Sequence, residues 1–148
     1  MPITGGCRCS AVRYSLNIDT PPMVYACHCL DCQTWSGSAF TENFLVPRQV
    51  LEINGPLVNW EATSPSGAHS IQQFCGKCHT RLFNTTSRVP GMVVMRAGTL
   101  DQSDQLTLVA HIWASRKQPW VVIPDGIPTW PKTPTPEEFA AALSGAAR

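Results

Sequence analysis

The chain has 148 residues, 43% of them apolar and only 14% charged, with a formal net charge of +1. This composition argues for a packed globular protein and against a disordered one, and the scattered Lys and Arg form no basic tract, so nucleic acid is not an expected partner. No stretch of about 18 apolar residues is available to span a membrane, and 10 glycines with 13 prolines favour turns and short strands over long helices.

The opening "MPITGGCRCS" has no basic segment followed by an apolar one, so no secretory leader is expected. The chain reads as one domain over residues 1–148, placed in the cytoplasm, where clustered thiols stay reduced and act as metal ligands before disulfides. Strand signals begin at "AVRYSLNI" (Ala11 to Ile18), where Val12, Tyr14, Leu16 and Ile18 share one face. "MVYACHC" is a second strand that runs into three cysteines, and "LDCQTWSG" a helical turn ended by Gly37 in the left-handed conformation. "AFTENFLV" (Ala39 to Val46) and "VLEIN" (Val50 to Asn54) follow, broken by Pro47; then "LVNWEAT" and "HSIQQFC", separated by "SPSGA"; then "RLFNTT", "GMVVMRAG" and "LTLVAHIWA". Such spacing predicts a mostly β, mainly antiparallel domain. One helix is signed at the C-terminal end, in "TPTPEEFAAALSG": Thr135 caps, Pro136 takes the first position, Glu138 completes a capping box and Gly145 ends the run.

The seven cysteines fall into three groups: Cys7 and Cys9 in "CRC"; Cys27, Cys29 and Cys32 in "CHCLDC"; Cys75 and Cys78 in "CGKC". A C-x2-C pair on a tight turn brings two sulfurs to one zinc at about 2.3 Å, and Gly76 is expected to let the backbone fold under the ion. A C-x-C pair does the same only if the chain bends, which Gly5 and Gly6 would assist. Spacing leaves two allocations open. The two C-x2-C pairs, Cys29/Cys32 and Cys75/Cys78, make a zinc ribbon and leave three spare thiols; or Cys7, Cys9, Cys75 and Cys78 close one site while Cys27, Cys29 and Cys32 form a second with a free position.

The order CxC, CxCxxC, CxxC, with "GGCRCSAVRYSL", "CHCLDCQTWSGSAF", "FCGKCHTRLF", "MVVMRAGTLD" and "HIWASRKQPWVVIPDGIPTW", resembles the family of glutathione-dependent formaldehyde-activating enzymes, whose domain is also found in centromere protein V. The resemblance implies the second allocation, with two zinc ions per chain: a structural one on Cys7, Cys9, Cys75 and Cys78, and a catalytic one on Cys27, Cys29 and Cys32. It implies an antiparallel β-tent fold like that of methionine-R-sulfoxide reductase. It also implies carbon–sulfur lyase chemistry on a small thiol partner, glutathione or a thiol–aldehyde adduct. One departure stands out: Gln33 follows Cys32 where the family often carries arginine.

Around the second site, backbone N–H groups at Gly37 and Ser38 are candidate substrate contacts, with Trp35 and Trp120 as candidate walls, although core packing is the default for the five tryptophans. His28 and Asp31 are weighed as proton carriers against hydrogen-bonding or exposed roles, and His111 as a buried, hydrogen-bonded histidine. His69, His79 and Glu42 carry no further signal. The competing readings are a zinc scaffold without activity, and a sulfoxide reductase, which would need a cysteine outside the metal sites.

Overall fold

The computed structural model describes residues 2–64 and 67–144. Ten strands account for most of the ordered backbone: β1 (Ile3–Gly6), β2 (Arg13–Leu16), β3 (Met23–Cys27), β4 (Thr41–Pro47), β5 (Leu51–Asn54), β6 (Leu57–Thr63), β7 (His69–Cys75), β8 (Arg81–Thr86), β9 (Met92–Arg96) and β10 (Thr107–Ile112). Two α-helices join them, α1 (Leu30–Ser36) and α2 (Pro136–Leu143). The chain divides into two compact units, Met1–Pro22 with Phe44–Gln105, and Met23–Asn43 with Leu106–Arg148.

In the first unit β1, β2 and β5 form an antiparallel sheet in the order β1-β2-β5. The alternation read in "AVRYSLNI" is realised: Val12, Tyr14 and Leu16 are buried while Arg13 and Asn17 are exposed. Strand β1 was not expected, because Thr-Gly-Gly has poor strand propensity, and pairing with β2 overrides that weakness. The glycines here serve close approach. A Cβ on Gly5 would overlap the carbonyl of Thr99 and the Tyr14 hydroxyl, and one on Gly6 would overlap the carbonyl of Val12. Strands β6 to β9 make an antiparallel ladder, with Leu82, Val93 and Met95 fully buried.

In the second unit β3 pairs antiparallel with the start of β4, Cys27 facing Thr41, and parallel with β10, Cys27 facing Ile112. The parallel pair departs from the antiparallel expectation. Parallel strands need a long crossover, here residues 28–106, and no local sequence signal announces one. A register shift between Leu108 and Ala110 marks a bulge in β10. Helix α2 has the capping box read from sequence, with the Thr135 hydroxyl accepting from the Glu138 N–H at 3.2 Å. Gly145 lies outside the described residues. Phe139 of α2 meets Tyr25 of β3 edge to face, ring centroids 4.7 Å apart.

Gly5→Ala is expected to destabilise the protein by about 1–3 kcal/mol through overpacking, whereas Gly98→Ala, where a Cβ meets nothing within 4 Å, should change little. Urea melts of the two variants check the contrast.

Candidate metal centres

Both cysteine groups are built at strand ends. In the first unit β1 runs into Cys7, and a turn closed by the Cys7 N–H donating to Val12 O (3.0 Å) carries Cys9 back toward β2. The bend comes from Ser10, left-handed at φ 66° and one residue past Cys9, rather than from Gly5 or Gly6, which lie in the strand. The second knuckle leaves β7 at Cys75, and again the left-handed residue follows the last cysteine: His79, φ 63°. Gly76 does not use its conformational freedom as expected; its N–H donates to Pro56 O at 2.7 Å.

These turns bring Cys7, Cys9, Cys75 and Cys78 together, all four sulfurs within 4.8 Å of one another. Sulfurs at the corners of a zinc tetrahedron stand about 3.8 Å apart, given Zn–S bonds of about 2.3 Å. The Cys7–Cys9 and Cys9–Cys75 separations, 3.6 and 3.9 Å, bracket that edge. Backbone donors already point at the sulfurs. Cys7 Sγ accepts from Val12 N–H (3.2 Å), and Cys75 Sγ from Lys77 N–H (3.3 Å) and Cys78 N–H (3.4 Å). Thr80, which sequence reasoning passed over, joins the two knuckles: its hydroxyl accepts from Arg8 N–H at 3.1 Å and lies 3.2 Å from Cys78 Sγ. That contact is the first cause that draws the Cys78 thiol down to about 5, well into the range where it is a thiolate.

The second unit gathers Cys27, Cys29 and Cys32, again within 4.8 Å. Among the described residues no further His, Cys, Asp or Glu joins either group. Cys27 ends β3; Cys29 caps α1, its sulfur accepting from Cys32 N–H at 3.4 Å; Cys32 lies one turn on. Cys27 and Cys32 are buried and Cys29 is half-buried, so Cys29 is the most accessible of the three. Hydrogen bonding to Cys29 and Cys32, followed by burial, pushes the Cys27 thiol far up. Three thiols this close cannot all ionise unaided, and a divalent cation is the partner that relieves them. The donor set of each group therefore fits zinc.

His28 is fully buried and bonded through Nε2 to His111 Nδ1 at 2.9 Å; its own Nδ1 has no partner. Burial holds both imidazoles below their usual range, His28 at about 4. His111 is thus the buried, hydrogen-bonded histidine expected, while Asp31, Glu42, His69 and His79 are exposed.

Gln33 organises the loop. Its Nε2 donates to His28 O (2.8 Å) and Arg116 O (2.9 Å), and its Oε1 accepts from Gln118 Nε2 (3.0 Å). Trp120 Nε1 donates in turn to Gln118 Oε1 at 2.7 Å. Beside this relay lies a cavity of about 520 Å³, walled by Gln33, Thr34 and the turn Gly37–Ala39 on one side and by Gln118 and Trp120 on the other. It brings together Gly37, Ser38 and Trp120 of the predicted contacts, while Trp35 is not part of its lining. The N–H groups of Gly37 and Ser38 are already committed, to Gln33 O (2.9 Å) and Ser36 Oγ (3.1 Å), which corrects the expectation that they face substrate. Core packing also fails as a rule for the tryptophans: none of the five is fully buried, and Trp60 and Trp120 are 55% and 70% exposed.

Thr80→Val should weaken metal retention at the four-cysteine group by about 10- to 100-fold, the usual effect of removing a hydrogen bond to a ligand; competition with a chromogenic chelator reads the change.

Residues 2–116 match the family model described as glutathione-dependent formaldehyde-activating enzyme. Among solved structures, a crystal structure of a protein from Rhodobacter sphaeroides is similar at a TM-score of 0.55 and 14% identity, over 86% of this chain and 98% of that one, a likeness of fold. The search of curated proteins returns no match. No helix among the described residues is long and apolar enough to cross a membrane.

Proposed function

The chain belongs to the family of glutathione-dependent formaldehyde-activating enzymes, and on that premise we propose that it is a zinc-dependent carbon–sulfur lyase, joining a small thiol to an aldehyde or releasing the two from their adduct. The observation that carries this reading is the convergence of Cys27, Cys29 and Cys32 with no fourth described His, Cys, Asp or Glu ligand. Three protein donors leave one tetrahedral position for a small molecule, whereas the four sulfurs of Cys7, Cys9, Cys75 and Cys78 leave none. The four-sulfur group is the structural site and the three-sulfur group the catalytic one, with two zinc ions per chain.

Zinc at the trio would supply a Lewis acid able to hold a thiol as thiolate or to polarise an aldehyde oxygen. The chain's own residues provide the setting. Cys27, Cys29 and Cys32 fix the ion, and the buried His28–His111 pair holds the metal loop against β10 without adding charge. Gln33 ties that loop to the Arg116–Gln118 segment, so the cavity wall and the metal ligands share one support. Gly37, Ser38 and Trp120 border the substrate through side chains and surface rather than through the committed N–H groups, with Trp35 outside the lining. In the addition direction the sulfur–carbon bond forms as the S–H bond breaks, and the proton passes to the former carbonyl oxygen; the lyase direction reverses each change. Seven free thiols suit a reducing cytoplasm.

Two zinc ions per chain are expected by elemental analysis. Cys75→Ser should abolish cooperative folding, because binding at a structural site is folding energy. Cys29→Ser should keep a cooperative melt but lose one zinc and the exchange between thiol and formaldehyde seen by NMR. A Cys29→Ser protein that retains full exchange would overturn the assignment. Wild-type protein with two zinc ions and no exchange with any thiol would leave a scaffold.

A further inference from the structure

The cavity beside the metal loop has a chemistry of its own. None of its lining side chains is charged: it offers the amides of Gln33 and Gln118, the hydroxyls of Thr34 and Ser38, and the indole of Trp120. The two amides are locked head to tail by the relay, so they present fixed dipoles. Gln118 keeps a second amide hydrogen, since only one is given to Gln33. Of the two cations in the adjoining segment, Arg116 is exposed and lies outside the lining, and Lys117 is turned into its own loop, where Nζ donates to Val121 O at 2.8 Å and Gln118 O at 3.3 Å.

Glutathione carries two carboxylates. Carboxylates are held well by charge-assisted bonds from Arg or Lys, and the wall of this open groove supplies no such donor. A compact uncharged thiol bearing an amide or hydroxyl meets matching groups and an aromatic face, and needs no such donor. We propose that this cavity receives the carbon skeleton of an uncharged, amide- or hydroxyl-bearing thiol or its aldehyde adduct in preference to glutathione, and that Gln118 and Trp120 set the choice. The inference rests on the thiol–aldehyde reading above, but its test does not require turnover.

The zinc-loaded full chain is titrated with two unreactive thioethers, S-methyl-N-acetylcysteamine, which is neutral, and S-methylglutathione. Tryptophan fluorescence is the readout, with the Trp120→Phe protein identifying the responding indole. The neutral thioether is expected to bind about tenfold tighter. Gln118→Arg should tighten S-methylglutathione by about tenfold, since it adds a charged donor; should that variant not fold, the wild-type comparison decides alone. Equal or tighter binding of S-methylglutathione by the wild-type chain, or no response of Trp120 to either compound, overturns the proposal. A preference for the neutral thioether without thiol–formaldehyde exchange would uphold the cavity's selectivity and refute the lyase reading.

Discussion

Seven thiols brought within coordination distance in two groups create an electrostatic demand that protein groups alone do not meet. Within the trio, each sulfur that ionises makes the next harder to ionise, and the Cys27 thiol is pushed up by its two neighbours and by burial. At the four-sulfur group the Val12 N–H helps hold the Cys7 thiol down and Thr80 draws down Cys78, while burial and the neighbouring thiols push Cys9 up. The fold is thus shaped for a cation at each place. The left-handed Ser10 and His79 fit the same picture, since a non-glycine residue there costs roughly 1 kcal/mol or more. That cost is set against metal binding worth several times as much.

The two groups use the same ligand type but differ in their surroundings. The first is assembled from two knuckles distant in sequence, so an ion held there would cross-link the chain much as a disulfide would. The second lies within one short stretch, on the end of β3 and the start of α1. Its ligands need no ion to be brought near one another; they need a frame. That frame is β10 on one side, through the His28 N–H donating to Ile112 O and the His28–His111 bond, and Thr41 on the other, whose hydroxyl donates to Cys32 O at 3.1 Å. The ligands of this group thus sit on one segment and their support on others.

Much of this was legible in the sequence. Strands β6, β7 and β8 begin and end where alternation and turn residues put them, and the α2 capping box is a local signal with a local cause. The ligand groups were visible as cysteine spacing, though spacing alone did not choose between a ribbon and the four-plus-three division. What escaped was non-local. Strand β1 exists because β2 accepts it, the parallel β3–β10 pair depends on a crossover, and Thr80 and Gln118 are ordinary polar residues until folding sets them against Cys78 and Gln33. Glycine misled twice, at Gly5–Gly6 and at Gly76, because it signals either a bend or a close approach and sequence does not say which.

The parallel pairing of β3 with β10 has a bearing on how the protein is made. Cys27, Cys29 and Cys32 leave the ribosome early, whereas His111 and Ile112, which enclose them, are translated only after most of the chain, a delay on the order of several seconds at about 5–20 residues per second. Throughout that interval the nascent trio is a chelating peptide without its enclosure. An ion met at that stage would be bound before β10 packs beside β3, so supply during biosynthesis bears on which metal this centre first receives.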